Sequence, residues 1–89
     1  MNMALDEEFV SAQARVKQLT KRPTNEELLE LYALYKQGTA GDAQGKRPGM
    51  FELKERAKFD AWTGKKGTSK DGAMQTYVAL VAKLVAKYA

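Results

Sequence analysis

Apolar residues recur along the chain at spacings of three and four, not in the alternation of a half-buried strand. Leu5, Phe9, Ala12, Val16 and Leu19 follow one another at four, three, four and three residues. A helix over this stretch carries all five on one face. Pro23 predicts its end, because the residue before a proline disfavours helical dihedrals. Thr24-Asn25-Glu26-Glu27 then has the form of a capping box, with Thr24 as N-cap and Glu27 reaching back to it. Leu28, Leu31, Tyr32 and Tyr35 continue on one face of a second helix, with Leu29, Ala33 and Lys36 beside them. Gly38 predicts its stop. A third helix is expected over about Phe51 to Thr63, with Lys54, Lys58 and Trp62 at four-residue intervals along one side. Gly64-Lys65-Lys66-Gly67 breaks it. Thr68 or Ser69 caps a fourth helix, with Asp71 favourably placed in its first turn. The apolar stripe of that helix is Ala73, Met74, Tyr77, Leu80, Val81, Leu84, Val85 and Tyr88.

Residues 38 to 50, rich in Gly and polar side chains, join the second and third helices. Connections this long are uncommon in compact domains and tend to serve a purpose. This one can carry the chain back along the bundle, so the helices on either side can run parallel, which a short loop would forbid. The expected architecture is all-α: a four-helix bundle with one long crossover between helices two and three. A chain of 89 residues builds one modest core, hence one domain over residues 1–89.

Composition narrows the chemistry. Apolar residues make up 44% and charged residues 29%, which fits an ordinary globular chain and not a disordered one. There is no Cys and no His. Disulfides, zinc sites of Cys/His type, and Ser-His-Asp or Cys-His catalytic groups are thereby excluded. Residues 1 to 8 include Asp6, Glu7 and Glu8 and lack the basic start and apolar run of a targeting signal. No apolar run is long enough to span a bilayer. A cytoplasmic, monomeric protein without stable membrane insertion is expected. The net charge is +4, but it is unevenly spread: from Lys36 to Lys70 there are nine Lys/Arg against four Asp/Glu, whereas the first 35 residues hold four against six. So basic a middle suits an anionic partner, although such an excess is also common on solvated surfaces.

Two groups of side chains stand apart from the core pattern. Tyr32, Tyr35 and Lys36, at i, i+3 and i+4, put two phenol rings and an ammonium on one helix face. They can be packing residues with wet hydroxyls, or a platform that stacks a planar base and holds phosphate oxygens. Lys54 and Lys58, one turn apart, can be an exposed face neutralised by Glu55 and Asp60, or two mobile point charges for a ligand with several phosphates. Glu52 with Glu55, or Glu26 with Glu27 and Glu30, could be imagined as an acid/base pair, but three of these lie at a helix start, where a structural role with the dipole suits them better. Gly38-Thr39-Ala40-Gly41 is no phosphate-binding loop, since no strand precedes it and no Gly-Lys-Ser/Thr follows. Trp62 reads as a core residue.

Tyr32-Ala33-Leu34-Tyr35-Lys36-Gln37, Gly41-Asp42, Arg47-Pro48-Gly49-Met50, Lys58-Phe59-Asp60-Ala61-Trp62 and Lys66-Gly67-Thr68-Ser69, in this order, resemble the acyl-CoA-binding protein family. The similarity runs from about Leu5 to Tyr88 without an obvious gap. The resemblance implies the up-down-down-up bundle and a carrier of medium- to long-chain acyl-CoA that does no catalysis and needs no metal or cofactor. It implies that Tyr32, Tyr35, Lys36, Lys58 and Tyr77 bind the CoA head, with Lys17 and Lys54 contributing. Tyr35 would stack on the adenine, while Lys36, Lys58 and the Tyr32 hydroxyl would hold the ribose 3′-phosphate. The acyl chain would run in an apolar channel, for which Phe9, Ala12, Gln13, Leu29, Ala33 and Phe59 are the candidates. Phe59 stands where many relatives carry tryptophan, and Gln13 where smaller residues are common.

Two other readings of the residues remain. One is a basic module that binds nucleic acid through the Lys36 to Lys70 region, against which the charge excess is small and no nucleic-acid motif is present. The other is a protein-interaction bundle using Tyr32, Tyr35 and Phe59 as an apolar patch.

Overall fold

A computed structural model of the chain describes residues 4–89; the first three, part of the stretch read above for a targeting signal, lie outside the described residues. Four helices, α1 (Leu5–Lys17), α2 (Asn25–Ala40), α3 (Leu53–Thr63) and α4 (Lys70–Tyr88), account for the secondary structure, and no strand occurs among the described residues. The capping box at α2 forms as expected: Glu27 N–H donates to Thr24 Oγ1 at 3.1 Å, and Thr24 N–H donates to Glu27 Oε1 at 2.8 Å. Ser69 rather than Thr68 caps α4, its Oγ accepting from the Gly72 N–H at 3.0 Å.

The core joins α1, α2 and α4. Phe9, Ala12, Leu31, Leu34, Ala73, Tyr77, Val81 and Leu84 are buried together, and Val16, Leu19, Leu28, Met74 and Val85 pack around them. The helices lie in the order α1, α4, α2, α3, because α4 touches α1 and α2, while α3 packs on α2 alone. The result is a thin molecule, 45 × 29 × 15 Å. Side-chain pairings set the directions. Phe9 meets Tyr35, so α1 and α2 run antiparallel. Glu27 meets Lys87, while Met74 lies against Gly38, so α2 and α4 are antiparallel as well. Tyr32 faces Lys58 and Lys36 faces Trp62, an ascending register that only parallel α2 and α3 allow. The topology is up-down-down-up.

Three helix limits differ from those expected. α1 ends at Lys17, well before Pro23: the Gln18 N–H turns in to Arg15 O at 3.1 Å and tightens the last turn. Leu19 reaches the core from beyond the helix. α2 runs through Gly38, which is buried in its last turn and admits α4 closely. A Cβ there would stand 3.0 Å from Met74 Cγ and 3.4 Å from Phe9 Cζ. The stop is Gly41, at φ +82°, a conformation that favours glycine. α3 starts at Leu53, not Phe51, because the Glu52 carboxylate closes the preceding turn by accepting from the Gly49 N–H at 3.0 Å.

The crossover is fastened at several points. Arg47 grips Asp60 of α3 through two hydrogen bonds, Nε to Oδ1 at 2.9 Å and Nη2 to Oδ2 at 2.7 Å. This pairing holds the Asp60 carboxyl below its usual range. Asp42 Oδ1 accepts from the Gly67 N–H at 2.9 Å and from Gln37 Nε2 at 2.7 Å, and the same Gln37 nitrogen donates to Thr68 O. The Trp62 indole N–H donates to Gly41 O at 2.8 Å. Much of the motif set quoted above therefore fastens the loops that position α3.

Candidate functional site

Two of the clefts on the surface share one residue, Tyr32. The smaller, about 280 Å³, lies between α1 and α2 over α4 and is lined by Gln13, Val16, Lys17, Leu31, Tyr32, Tyr35 and Tyr77. The larger, about 420 Å³, lies between α2 and α3. Its lining is Leu28, Leu29, Tyr32, Leu53 and Ala57, with Arg22, Asn25, Lys54 and Lys58 completing the wall. No Asp or Glu lines either cleft. The larger one thus has an apolar interior with ammonium and guanidinium groups around it. Such a surface takes up an amphiphile whose head is anionic, since each end finds what it needs.

Helical periodicity explains the grouping. Leu28, Leu29 and Tyr32 recur at the spacing of one α2 face, and Leu53, Lys54, Ala57 and Lys58 do the same on α3. Parallel packing brings the two faces together along their length. Lys58 Nζ stands 5.5 Å from the Tyr32 ring centroid and 3.7 Å from Glu55 Oε1. Lys36 Nζ stands 4.8 Å from the Trp62 ring centroid. Behind two tyrosines of the smaller cleft lies the buried Phe9 ring: Tyr35 is stacked on it at 6.0 Å and 24°, and Tyr77 is edge-on at 5.0 Å and 76°. Tyr35 remains 39% exposed, leaving ring surface free for a planar ligand. Burial, with the neighbouring Tyr35 second, pushes the Tyr77 phenol above its ordinary range, so it stays protonated. Among the described residues no His/Cys/Asp/Glu group is arranged to hold a metal ion.

The acyl-CoA-binding protein model matches residues 6–81, nearly the whole chain. The chain belongs to the acyl-CoA-binding protein family. It is 58% identical over 80 residues to acyl-CoA-binding protein homolog 1 of Caenorhabditis elegans, covering 90% of this chain and 93% of that one. It is 51% identical over 83 residues to the acyl-CoA-binding protein of Brassica napus, covering 93% and 90%. The fold is similar to that of acyl-CoA-binding protein 2 from Oryza sativa, with a TM-score of 0.91 and 43% identity over 94% of this chain and 93% of that one. The yeast acyl-coenzyme A binding protein in solution gives a TM-score of 0.71 at 48% identity, covering 90% and 93%.

The acyl-CoA-binding residues expected from sequence fall into three places. Lys17, Tyr32, Tyr35, Tyr77 and Gln13 gather at the smaller cleft; Tyr32, Lys54, Lys58 and Leu29 gather at the larger. Lys36 lines neither cleft but sits on Trp62 in the α2/α3 seam, with Phe59 edge-on to Trp62 at 6.3 Å. Phe9, Ala12 and Ala33 were expected in an acyl channel and are instead buried. They line neither cleft, and Ala33 has no exposed surface. The reason is angular: Ala12 precedes Gln13 and Ala33 follows Tyr32, and one residue along a helix turns the side chain by about 100°, here from cleft to core. Arg22, Leu53 and Ala57 of the larger cleft were not singled out. Leu53 and Ala57 flank Lys54 and Lys58 at the same four-residue spacing, a signal that was available.

Proposed function

We propose that this chain binds medium- to long-chain fatty acyl-CoA esters one-to-one and acts as a cytoplasmic, monomeric carrier and pool former in lipid metabolism. Residues 1–89 would work as one binding domain. The observation that carries this reading is the pair of clefts meeting at Tyr32, one rich in aromatic rings, the other apolar inside with cations around it. The head would occupy Tyr32, Tyr35, Lys36, Lys58 and Tyr77, with Lys17 and Lys54 assisting. Tyr35 would stack on the adenine, and Lys36, Lys58 and the Tyr32 hydroxyl would face the 3′-phosphate. The tail would run between α2 and α3 against Leu28, Leu29, Leu53 and Ala57.

Energetics suit such a ligand. Each buried methylene contributes roughly 0.8 kcal/mol, so a palmitoyl tail half covered yields several kcal/mol. Ammonium–phosphate contacts add directional bonds and speed encounter, with salt weakening them. The family consists of binding proteins, and a chain with neither Cys nor His brings no thiolate or imidazole to attack the thioester. Family membership favours this reading over the nucleic-acid and protein-interaction readings. The test is calorimetric titration with palmitoyl-CoA, with free CoA and free palmitate as controls. Tight one-to-one binding of the ester, with much weaker binding of each half, is expected. Failure of the ester to bind would overturn the carrier role.

A further inference from the structure

Lys36 is the head-site candidate that no cleft contains, and its ammonium rests on the ring of Trp62. Lys58 has the Glu55 carboxylate 3.7 Å away, and Arg47 is clamped on Asp60. Lys36 has no carboxylate within ion-pair distance among the described residues; what holds it is the face of Trp62, 4.8 Å from Nζ. The two kinds of partner differ in their consequence. A carboxylate orients an ammonium but cancels its charge, and an incoming phosphate must displace it. An aromatic face attracts the cation through its quadrupole and leaves the full charge available on the side away from the ring.

Trp62 is itself fixed. Its indole N–H is bound to Gly41 O at 2.8 Å, and Phe59 packs edge-on against it at 6.3 Å and 77°. Gly41 is the C-cap of α2, so the ring is tied to the helix that carries Lys36 as well as to its own. The geometry points to Trp62 as a positioning residue: its ring holds the Lys36 ammonium in the α2/α3 seam, uncancelled, for a phosphate of the ligand's head. This rests on the head site proposed above. Lys58 on Tyr32 repeats the arrangement one turn earlier, with both cations on the same parallel seam. The seam is therefore set to receive a phosphomonoester before the ligand arrives.

The experiment compares palmitoyl-CoA with palmitoyl-3′-dephospho-CoA by calorimetry, using the unaltered protein, Trp62→Leu, Trp62→Phe, Lys36→Met and the Lys36→Met/Trp62→Leu double variant. The unaltered protein should prefer the phosphorylated ester. Trp62→Leu should cut that preference about three- to tenfold, with the dephospho ester little affected. Trp62→Phe keeps an aromatic face and should restore part of the preference. In the double variant, the loss should equal that of Lys36→Met alone, since the ring then has no cation to hold. Equal weakening of both esters by Trp62→Leu and Trp62→Phe would reduce Trp62 to packing and overturn the inference while leaving the head site standing. An unaltered protein that binds both esters equally would overturn the head site and this inference with it. Should Trp62→Leu fail to fold, comparison of Trp62→Phe with Lys36→Met decides the same question.

Discussion

Lys58 stands over the ring of Tyr32, its Nζ 5.5 Å from the centroid, and Tyr32 is the wall common to both clefts. One cation thus borders the apolar cleft and faces the residue that joins it to the aromatic one. On the proposed reading, head and tail recognition would meet at this pair. Lys58→Met should weaken palmitoyl-CoA binding about tenfold through loss of a charge-assisted contact. The loss should shrink as salt is raised, because screening has already weakened the contact. A salt-independent loss, measured by titration at two ionic strengths, would count against a charge role.

Tyr35 offers an exposed face and is backed by Phe9 at 6.0 Å. Tyr35→Ala should reduce ester affinity by about 1–3 kcal/mol through lost base stacking, and Tyr35→Phe should retain most of it. Thermal unfolding of each variant checks that the Phe9 packing survives.

The α2/α3 cleft predicts a chain-length series. From octanoyl- to stearoyl-CoA, affinity should rise by up to about 0.8 kcal/mol per added methylene and then level off when the cleft is filled. Leu29→Ala should flatten the rise for the longer esters and leave the shortest ones little changed. A flat series in the unaltered protein would mean the tail stays in solvent.

Glu27 links the start of α2 to the end of α4. Hydrogen bonds from Tyr88 first, then Lys87 and the Thr24 N–H, lower its pKa from 4.5 to about 2. A carboxylate depressed in the folded state contributes stability that is present above its unfolded pKa and lost as pH falls through the folded one. Glu27→Gln keeps an acceptor for the capping box but removes the charge facing Lys87. The melting-temperature gap between Glu27→Gln and the unaltered protein should therefore be widest near neutrality and close between pH 4.5 and about 2. A gap constant across that range would show that the charge contributes nothing.

Gly38 sets the approach of α2 to α4. Gly38→Val should destabilise the fold by about 1–3 kcal/mol through overpacking against Met74 and Phe9, as read from denaturant unfolding. Unchanged stability would show that α4 can make room for a side chain at this position.

Features that depend on near neighbours were legible in the amino-acid order. The three-and-four spacing made all four stretches helical, Thr24 with Glu27 set the start of α2, and the last stripe named Ala73, Tyr77, Val81 and Leu84 as core. These are local matters, since capping and helical periodicity involve residues within a turn or two. Features that depend on which helices meet were not legible. Gly38 reads as a terminator in sequence, yet the nearness of Met74, thirty-six residues on, makes it a point of close packing. Ala33 stood only beside the apolar face of its helix in sequence, and the approach of the other helices turned it into core. Lys36 and Trp62 became partners because the crossover, clamped by Arg47 on Asp60, lays α3 parallel to α2 in that register. Long-range closure chooses among faces that local periodicity leaves equivalent, and the clefts lie where those choices leave α1, α2 and α3 incompletely packed.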